Sequence, residues 1–325
     1  MINFWRQLPK PFFALAPMED VTDAAFRRLI ARKGKPHVFF SEFTSADGLA
    51  LAPEEGQRAL RKKLLFGEGE RPIVAQLFSA YPERMEAAAA IVAELGFDGI
   101  DINMGCPDRA IEKGKCGAAM MKYPNLAREI IRAAKCGSAR AQSRGSKGLP
   151  ISVKTRIGYA RNELDTWLPI LLGEGLATVT IHARTRNELS DVPARWEHVR
   201  EAVDIRDRLG VDTLIVGNGD VKDLADARVK SAETGCDGVM LGRAIYGNPW
   251  LFAEHVPTPR ERIDGLIEHL HLFDELLGGT VNYATMKKHF KAYISGWDNA
   301  KDLRMRLMET NAVQEAVDLL YTSRT

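Results

Sequence analysis

Residues 99 to 118 read Gly99-Ile-Asp-Ile-Asn-Met-Gly-Cys-Pro-Asp-Arg-Ala-Ile-Glu-Lys-Gly-Lys-Cys-Gly-Ala118. The stretch opens as a strand, with Ile100 and Ile102 alternating with Asp101 and Asn103. Gly105 then allows a turn, and Pro107 ends the strand because proline has no N–H to give a ladder. Cys106 is thereby held just past the carboxyl end of a strand, with a glycine- and lysine-rich loop behind it. A free cysteine is commonly a small buried hydrophobe. This one stands where a cleft would open.

Outward from that stretch, apolar segments of the same kind recur at 12–18, 38–43, 72–78, 150–157, 178–184, 213–219 and 238–244. Between them lie amphipathic stretches at 23–32, 83–95, 125–134, 163–172, 196–209 and 224–234. Strands alternating with helices over about 250 residues predict a (β/α)8 TIM barrel. An open doubly wound sheet is the alternative, but Ala-Pro-Met-Glu-Asp stands after the first strand where a glycine-rich dinucleotide fingerprint belongs. After Pro257 and Pro259 the strand pattern stops, so the chain divides into a barrel over 1–255 and a small all-helical C-terminal domain over 256–325. Residues 135–149 are polar, glycine-rich and basic; they read as a mobile surface insertion on the face opposite the pocket, not as an RNA-binding arm.

With 325 residues and 45% hydrophobic content, the chain can bury one large core and a smaller appendage. A net charge of +2 gives no global field toward nucleic acid, so any basic footprint is local. No apolar run approaches membrane-spanning length, and no signal peptide is expected. Cysteines at 106, 116, 136 and 236 lack paired zinc spacing, which points to free thiols in a reducing cytoplasm and to no metal.

In a barrel, residues just after the strand ends share one face and hence one pocket. Those residues are Pro17, Met18 and Glu19; Glu42; Gln76; Asn103 and Cys106; Lys154 and Arg156; His182 and Arg184; Asn218 to Asp220; and Gly242 and Arg243. At the last two strand ends, Gly219 and Gly242 let backbone N–H groups approach an anion while Arg243 supplies a charge-assisted fork, which reads as a phosphate site. Gln76, Lys154 and His182 suit the edge of an isoalloxazine ring, Lys154 by stabilising negative charge on a reduced flavin. Together they point to FMN. In the tail, Lys287, Lys288 and Lys291 stand on a helix whose Met286, Phe290 and Tyr293 mark a buried face.

Several blocks resemble the tRNA-dihydrouridine synthase family: Asn103-Met-Gly-Cys-Pro107 with Gly117-Ala118 about ten residues on, Ala16-Pro-Met-Glu19, Ser41-Glu-Phe43, Ala75-Gln-Leu-Phe78, Val153-Lys-Thr-Arg156, His182-Ala-Arg-Thr185, Asn218-Gly-Asp220, Gly242-Arg-Ala244 and Lys287-Lys-His-Phe-Lys-Ala-Tyr293. The resemblance implies reduction of a tRNA uridine to 5,6-dihydrouridine, with FMN as cofactor and NADPH or NADH as reductant. It implies that Cys106 is the acid, and that Pro17, Met18, Glu19, Gln76, Lys154, His182, Asn218, Gly219, Asp220, Gly242 and Arg243 hold FMN. Asn103 and Arg184 would then touch the flipped base or its phosphate, and Lys287, Lys288 and Lys291 the tRNA backbone. No obligatory protein partner is implied. The sequence departs from the family pattern at Lys115-Cys116 and at Leu189 to Ala194, which bears on substrate-loop contacts. A small-molecule FMN barrel of the dihydroorotate dehydrogenase type and a non-catalytic RNA-binding barrel are the alternatives. The lysine-bearing tail argues against the first, and the intact Cys106 and Lys154 against the second.

Overall fold

A computed structural model describes residues 3–323 except 144, 146 and 147. The strands are β1 (Phe12–Leu15), β2 (Phe39–Phe40), β3 (Thr44–Ser45), β4 (Ile73–Phe78), β5 (Gly99–Met104), β6 (Ile151–Arg156), β7 (Thr178–His182), β8 (Leu214–Asn218) and β9 (Gly238–Leu241). All pair in parallel, in the order β1-β9-β8-β7-β6-β5-β4-β2, with β3 beside β4. A parallel bridge from Ala14 to Val38 brings the ends together into a (β/α)8 TIM barrel. The predicted second strand is broken in two: between β2 and β3 the Ser41 hydroxyl takes the place of a backbone carbonyl, accepting from Gln76 N (3.2 Å) while donating to Glu42 O (3.0 Å).

The alternation in β5 has a specific meaning in this geometry. Ile100, Ile102 and Met104 join the apolar shell between sheet and helices, each worth roughly 1.5–3 kcal/mol of burial. Asp101 and Asn103 face the lumen. Below them the lumen is apolar: Trp5, on a turn of 3-10 helix at Phe4–Gln7, packs with Phe12, Phe40, Val74, Val216 and Met240 and closes the bottom of the barrel.

Around the sheet run α1 (Ala24–Lys33), α2 (Ala46–Leu51), α3 (Glu54–Lys63), α4 (Pro82–Glu94), α5 (Arg109–Lys113), α6 (Pro124–Ser143), α7 (Leu164–Leu172), α8 (Glu197–Leu209) and α9 (Leu224–Thr234). Helices α2 and α3 fill a stretch where the sequence pattern predicted none. Helix α6 also corrects the reading of 135–149 as an insertion, because it continues through residue 143. Gly137 lets it lie against α4, where an added Cβ would come within 2.0 Å of Glu86 O. Ser138 ties the far end back by accepting from Leu149 N (2.6 Å). The expected mobility of this stretch falls partly on residues 144, 146 and 147, outside those described.

The chain ends in α10 (Pro259–Leu277), α11 (Lys287–Tyr293), α12 (Ala300–Glu309) and α13 (Val313–Thr322). Helix α10 starts at a capping box formed by Thr258 and Glu261, with Pro259 in its first turn. It packs on α1, where Phe26 stacks on His269 (centroids 4.8 Å) and meets the edge of His289 on α11 (4.9 Å). Among the described residues no helix is long and apolar enough to cross a membrane.

Candidate active site

The carboxyl ends of the strands open into two adjoining cavities of about 590 and 180 Å3, which share Pro17, Lys154 and His182. The larger is also lined by Met18, Arg184, Asn218, Gly219, Asp220, Gly242 and Arg243. The smaller is lined by Gln76, Asn103, Cys106 and Arg156, together with Phe43.

At the larger cavity, Asp220 bridges two arginines: its carboxylate accepts from Arg184 and from Arg243, and also from Ala194 N (2.8 Å). Burial pushes this carboxyl up, but the Arg184 hydrogen bond, the Ala194 N–H and the two guanidinium charges hold it below its ordinary value. Arg243 is 63% exposed at its side chain and stays at the rim. Arg184 is largely committed, through Nε to Val192 O (2.7 Å) and Nη1 to His182 Nε2 (3.2 Å). An arginine only donates, so His182 Nε2 accepts and the ring proton sits on Nδ1. Burial, reinforced by Lys154, Arg156, Arg184 and Arg243, keeps this imidazole neutral, far below its ordinary value. Lys154, half-buried in the wall shared by the two cavities, donates to Asn218 Oδ1 (3.1 Å). Burial and the Arg156 charge lower its ammonium to about 8 against the pull of Asp101, so it is still charged at neutral pH.

Cys106 stands on the loop after β5, and burial raises its thiol above the ordinary range. Its backbone is clamped from three sides. Asn103 Oδ1 accepts from Gly105 N (3.1 Å) and Cys106 N (2.9 Å), and Arg156 Nε donates to Gly105 O (2.8 Å). From below, Ala118 N donates to Cys106 O (2.9 Å). Gly117 precedes that donor at φ +59°, where a Cβ would lie 2.5 Å from the same oxygen. The Gly-Ala pair after the cysteine is therefore the floor on which the Cys106 carbonyl rests, a role that needed the three-dimensional contact to be seen. Cys116 is buried apart from the lining of either cavity, its thiol pushed by burial to about 12.

Glu19 departs from its expected place, because it lines neither cavity. Its carboxylate pairs with Lys63 and lies within 4.8 Å of ligand atoms of Asp20 and Glu42. Lys287, Lys288 and Lys291 line a separate groove of about 620 Å3 with Arg304, Met305 and Met308. Lys288 Nζ reaches Asp20 Oδ2 (2.7 Å) on the loop after β1, which ties α11 to the barrel's functional face.

A sequence profile described as Dihydrouridine synthase (Dus) matches residues 14–324. The probable tRNA-dihydrouridine synthase 2 of Bacillus subtilis (strain 168) is 40% identical over 324 residues, covering 98% of this chain and 95% of that protein. A probable tRNA-dihydrouridine synthase of Staphylococcus aureus (strain COL) is 39% identical, covering 98% and 94%. Among solved structures, morphinone reductase in complex with tetrahydroNAD aligns with TM-score 0.50 at 15% identity over 79% of this chain and 91% of that one. A 2-naphthoyl-CoA reductase complex aligns with TM-score 0.56 at 11% identity over 74% of this chain and 49% of that one. Those two likenesses establish the barrel architecture only, whereas the profile and the close relatives span nearly the whole length: this chain belongs to the dihydrouridine synthase family, a family of oxidoreductases.

Proposed function

We propose that this protein reduces a uridine of tRNA to 5,6-dihydrouridine, with FMN bound in the larger cavity, NADPH or NADH as reductant, and Cys106 as the acid. The observation that carries the reading is the adjacency of the two cavities: a cationic cradle and a thiol share Pro17, Lys154 and His182 as their common wall. The donor set suits a flavin phosphate and ring. Arg243 stands at the rim for the phosphate, and Lys154 is a half-buried ammonium facing both cavities with one of its three N–H groups given to Asn218. Pro17, Met18, Gln76, His182, Gly219 and Gly242 complete the set of holding residues. When bound, the flavin supplies a hydride to carbon 6 of the uracil ring.

The chain's own residues supply the rest. The neutral Cys106 thiol gives its proton to carbon 5, the C5=C6 double bond becomes single, and the thiolate regains a proton from water. A thiol held above its ordinary range is protonated at neutral pH, as an acid must be. Neutral His182 can donate Nδ1–H without adding a charge to a site already rich in cations. The target base leaves its stack to reach the barrel mouth. Lys287, Lys288 and Lys291 hold the RNA backbone beside that mouth, and the reaction belongs in a reducing cytoplasm where Cys106 stays a thiol.

The test is tRNA transcribed without modifications, incubated with purified protein and NADPH or NADH, and digested for nucleoside mass analysis. Cys106→Ala should keep its flavin absorbance and lose roughly 10² to 10⁴ in rate. Wild-type protein that leaves the uridines intact, or a Cys106→Ala variant with undiminished rate, overturns the reading.

A further inference from the structure

Asp101 lies wholly buried in the barrel lumen, below the residues of both cavities. Its Oδ1 accepts from Ser152 Oγ (2.6 Å) and its Oδ2 from Gln76 Nε2 (2.7 Å). Gln76 Oε1 in turn accepts from Asn103 Nδ2 (3.0 Å), and Asn103 Oδ1 accepts from the N–H groups of Gly105 and Cys106. The links have a fixed direction. A carboxylate only accepts, so Gln76 must turn its amine toward Asp101 and its carbonyl toward Asn103. Asn103 must then turn its amine toward Gln76, which leaves its carbonyl for the two backbone donors at the thiol. Burial raises the Asp101 carboxyl to about 6, yet Ser152, Gln76 and the Lys154 charge favour its ionised form, so it is a carboxylate at neutral pH.

We propose that Asp101 is a positioning residue for the reaction: as the acceptor-only end of the chain Asp101–Gln76–Asn103, it sets the orientation of both amides and so the place of the Cys106 loop. The inference rests on the reading of Cys106 as the proton donor. An amide at 101 removes the constraint. With Asn at 101, Gln76 can turn its carbonyl inward and its amine toward Asn103. Asn103 then presents its own amine to the Gly105 and Cys106 N–H groups, donor against donor, and the loop loses its clamp.

The same logic supplies the decisive experiment, because exchanging acid and amide restores the direction. In Asp101→Asn/Gln76→Glu, the Asn at 101 donates to a Glu at 76, which accepts from Asn103 as before, and the net charge is unchanged. Three variants are compared with wild type: each single change and the double. Two quantities are read at saturating flavin, with flavin content measured alongside. One is the iodoacetamide alkylation rate of Cys106 by peptide mass spectrometry, and the other is kcat against KM for tRNA.

Each single variant should shift the alkylation rate and lower kcat about tenfold or more, with KM for tRNA nearly unchanged. The double variant should return the alkylation rate to within about threefold of wild type. Single variants with wild-type alkylation and kcat, or a double variant as impaired as the singles, overturn the proposal. Where a single variant does not fold, the double decides alone: a folded protein with near-native alkylation supports it and an unfolded one refutes it. Wild-type protein that forms no dihydrouridine defeats the proposed function while the alkylation cycle still reads the chain.

Discussion

Gly117 is the position where the smallest chemical change should have the largest effect on the reaction. A Cβ there would sit 2.5 Å from Cys106 O, 3.1 Å from Ile111 Cγ2 and 3.3 Å from Cys106 Cβ. Ordinary contact begins near 3.4 Å, so Gly117→Ala forces the Cys106 carbonyl and the 117 backbone apart by about 0.9 Å. The hydrogen bond from Ala118 N to that carbonyl, 2.9 Å long, stretches past its useful range. The left-handed backbone at φ +59° adds about 1–2 kcal/mol for any residue with a Cβ. Stability should fall by about 1–3 kcal/mol in chemical denaturation. If Cys106 is the proposed proton donor, displacing it by close to 1 Å should cost roughly 10²-fold in kcat for dihydrouridine formation. Gly117 lines neither cavity, so flavin content should be unchanged. A Gly117→Ala protein with wild-type kcat would show that the Cys106 loop does not depend on its floor.

Arg243→Ala should lower flavin retention through gel filtration while melting within a few degrees of wild type, because the side chain is at the rim and only Asp220 loses a partner; a fully flavinated variant would move the phosphate site elsewhere. Neutralising Lys287, Lys288 and Lys291 together should weaken tRNA binding and flatten the slope of log affinity against log salt by about two, with flavin reduction by nicotinamide unchanged; an unaltered slope would make this helix face mere solvated surface. Glu42 provides a pH test: burial, then Asp23 and Glu19, raise its carboxyl from 4.5 to about 7. The folded state therefore holds this proton more tightly than the unfolded chain does, and stability is lost as pH rises from about 4.5 to 7. At about 1.36 kcal/mol per pH unit the cost is at most about 3 kcal/mol. Glu42→Gln, which keeps an acceptor for Asp20 N, should thus be more stable than wild type at pH 8, with the gap closing toward pH 5; equal gaps at both would show that Glu42 ionises freely.

Much of the barrel was legible because both of its periods are local. Ile100 and Ile102 alternate with Asp101 and Asn103 within six residues, and strand ends such as Lys154 and His182 follow the one-face rule of the fold. What escaped the sequence depends on register between distant strands. Nothing local says that Gln76 lies opposite Asp101, or that Asn103 lies opposite Lys154. Glu19 shows the complementary case: it belongs to the right strand end, but its carboxylate pairs with Lys63, on a helix the periodicity did not reveal. In residues 135–143 a polar, glycine-containing composition imitated a loop, although Gly137 is there for close helix packing.

The packing of Phe26 against His269 and His289 bears on how modular the molecule is. Phe26 and both imidazoles are completely buried, and Tyr293 beside them is too. Cutting the chain after residue 255 would strip α1 of this cover and leave a phenylalanine of the barrel shell facing water, with the Lys288 tie to Asp20 gone as well. The C-terminal helices thus behave as a structural wall of the barrel and not as a detachable appendage. The two parts should melt in a single cooperative transition, and the basic face of α11 cannot be lost or exchanged without repacking the barrel.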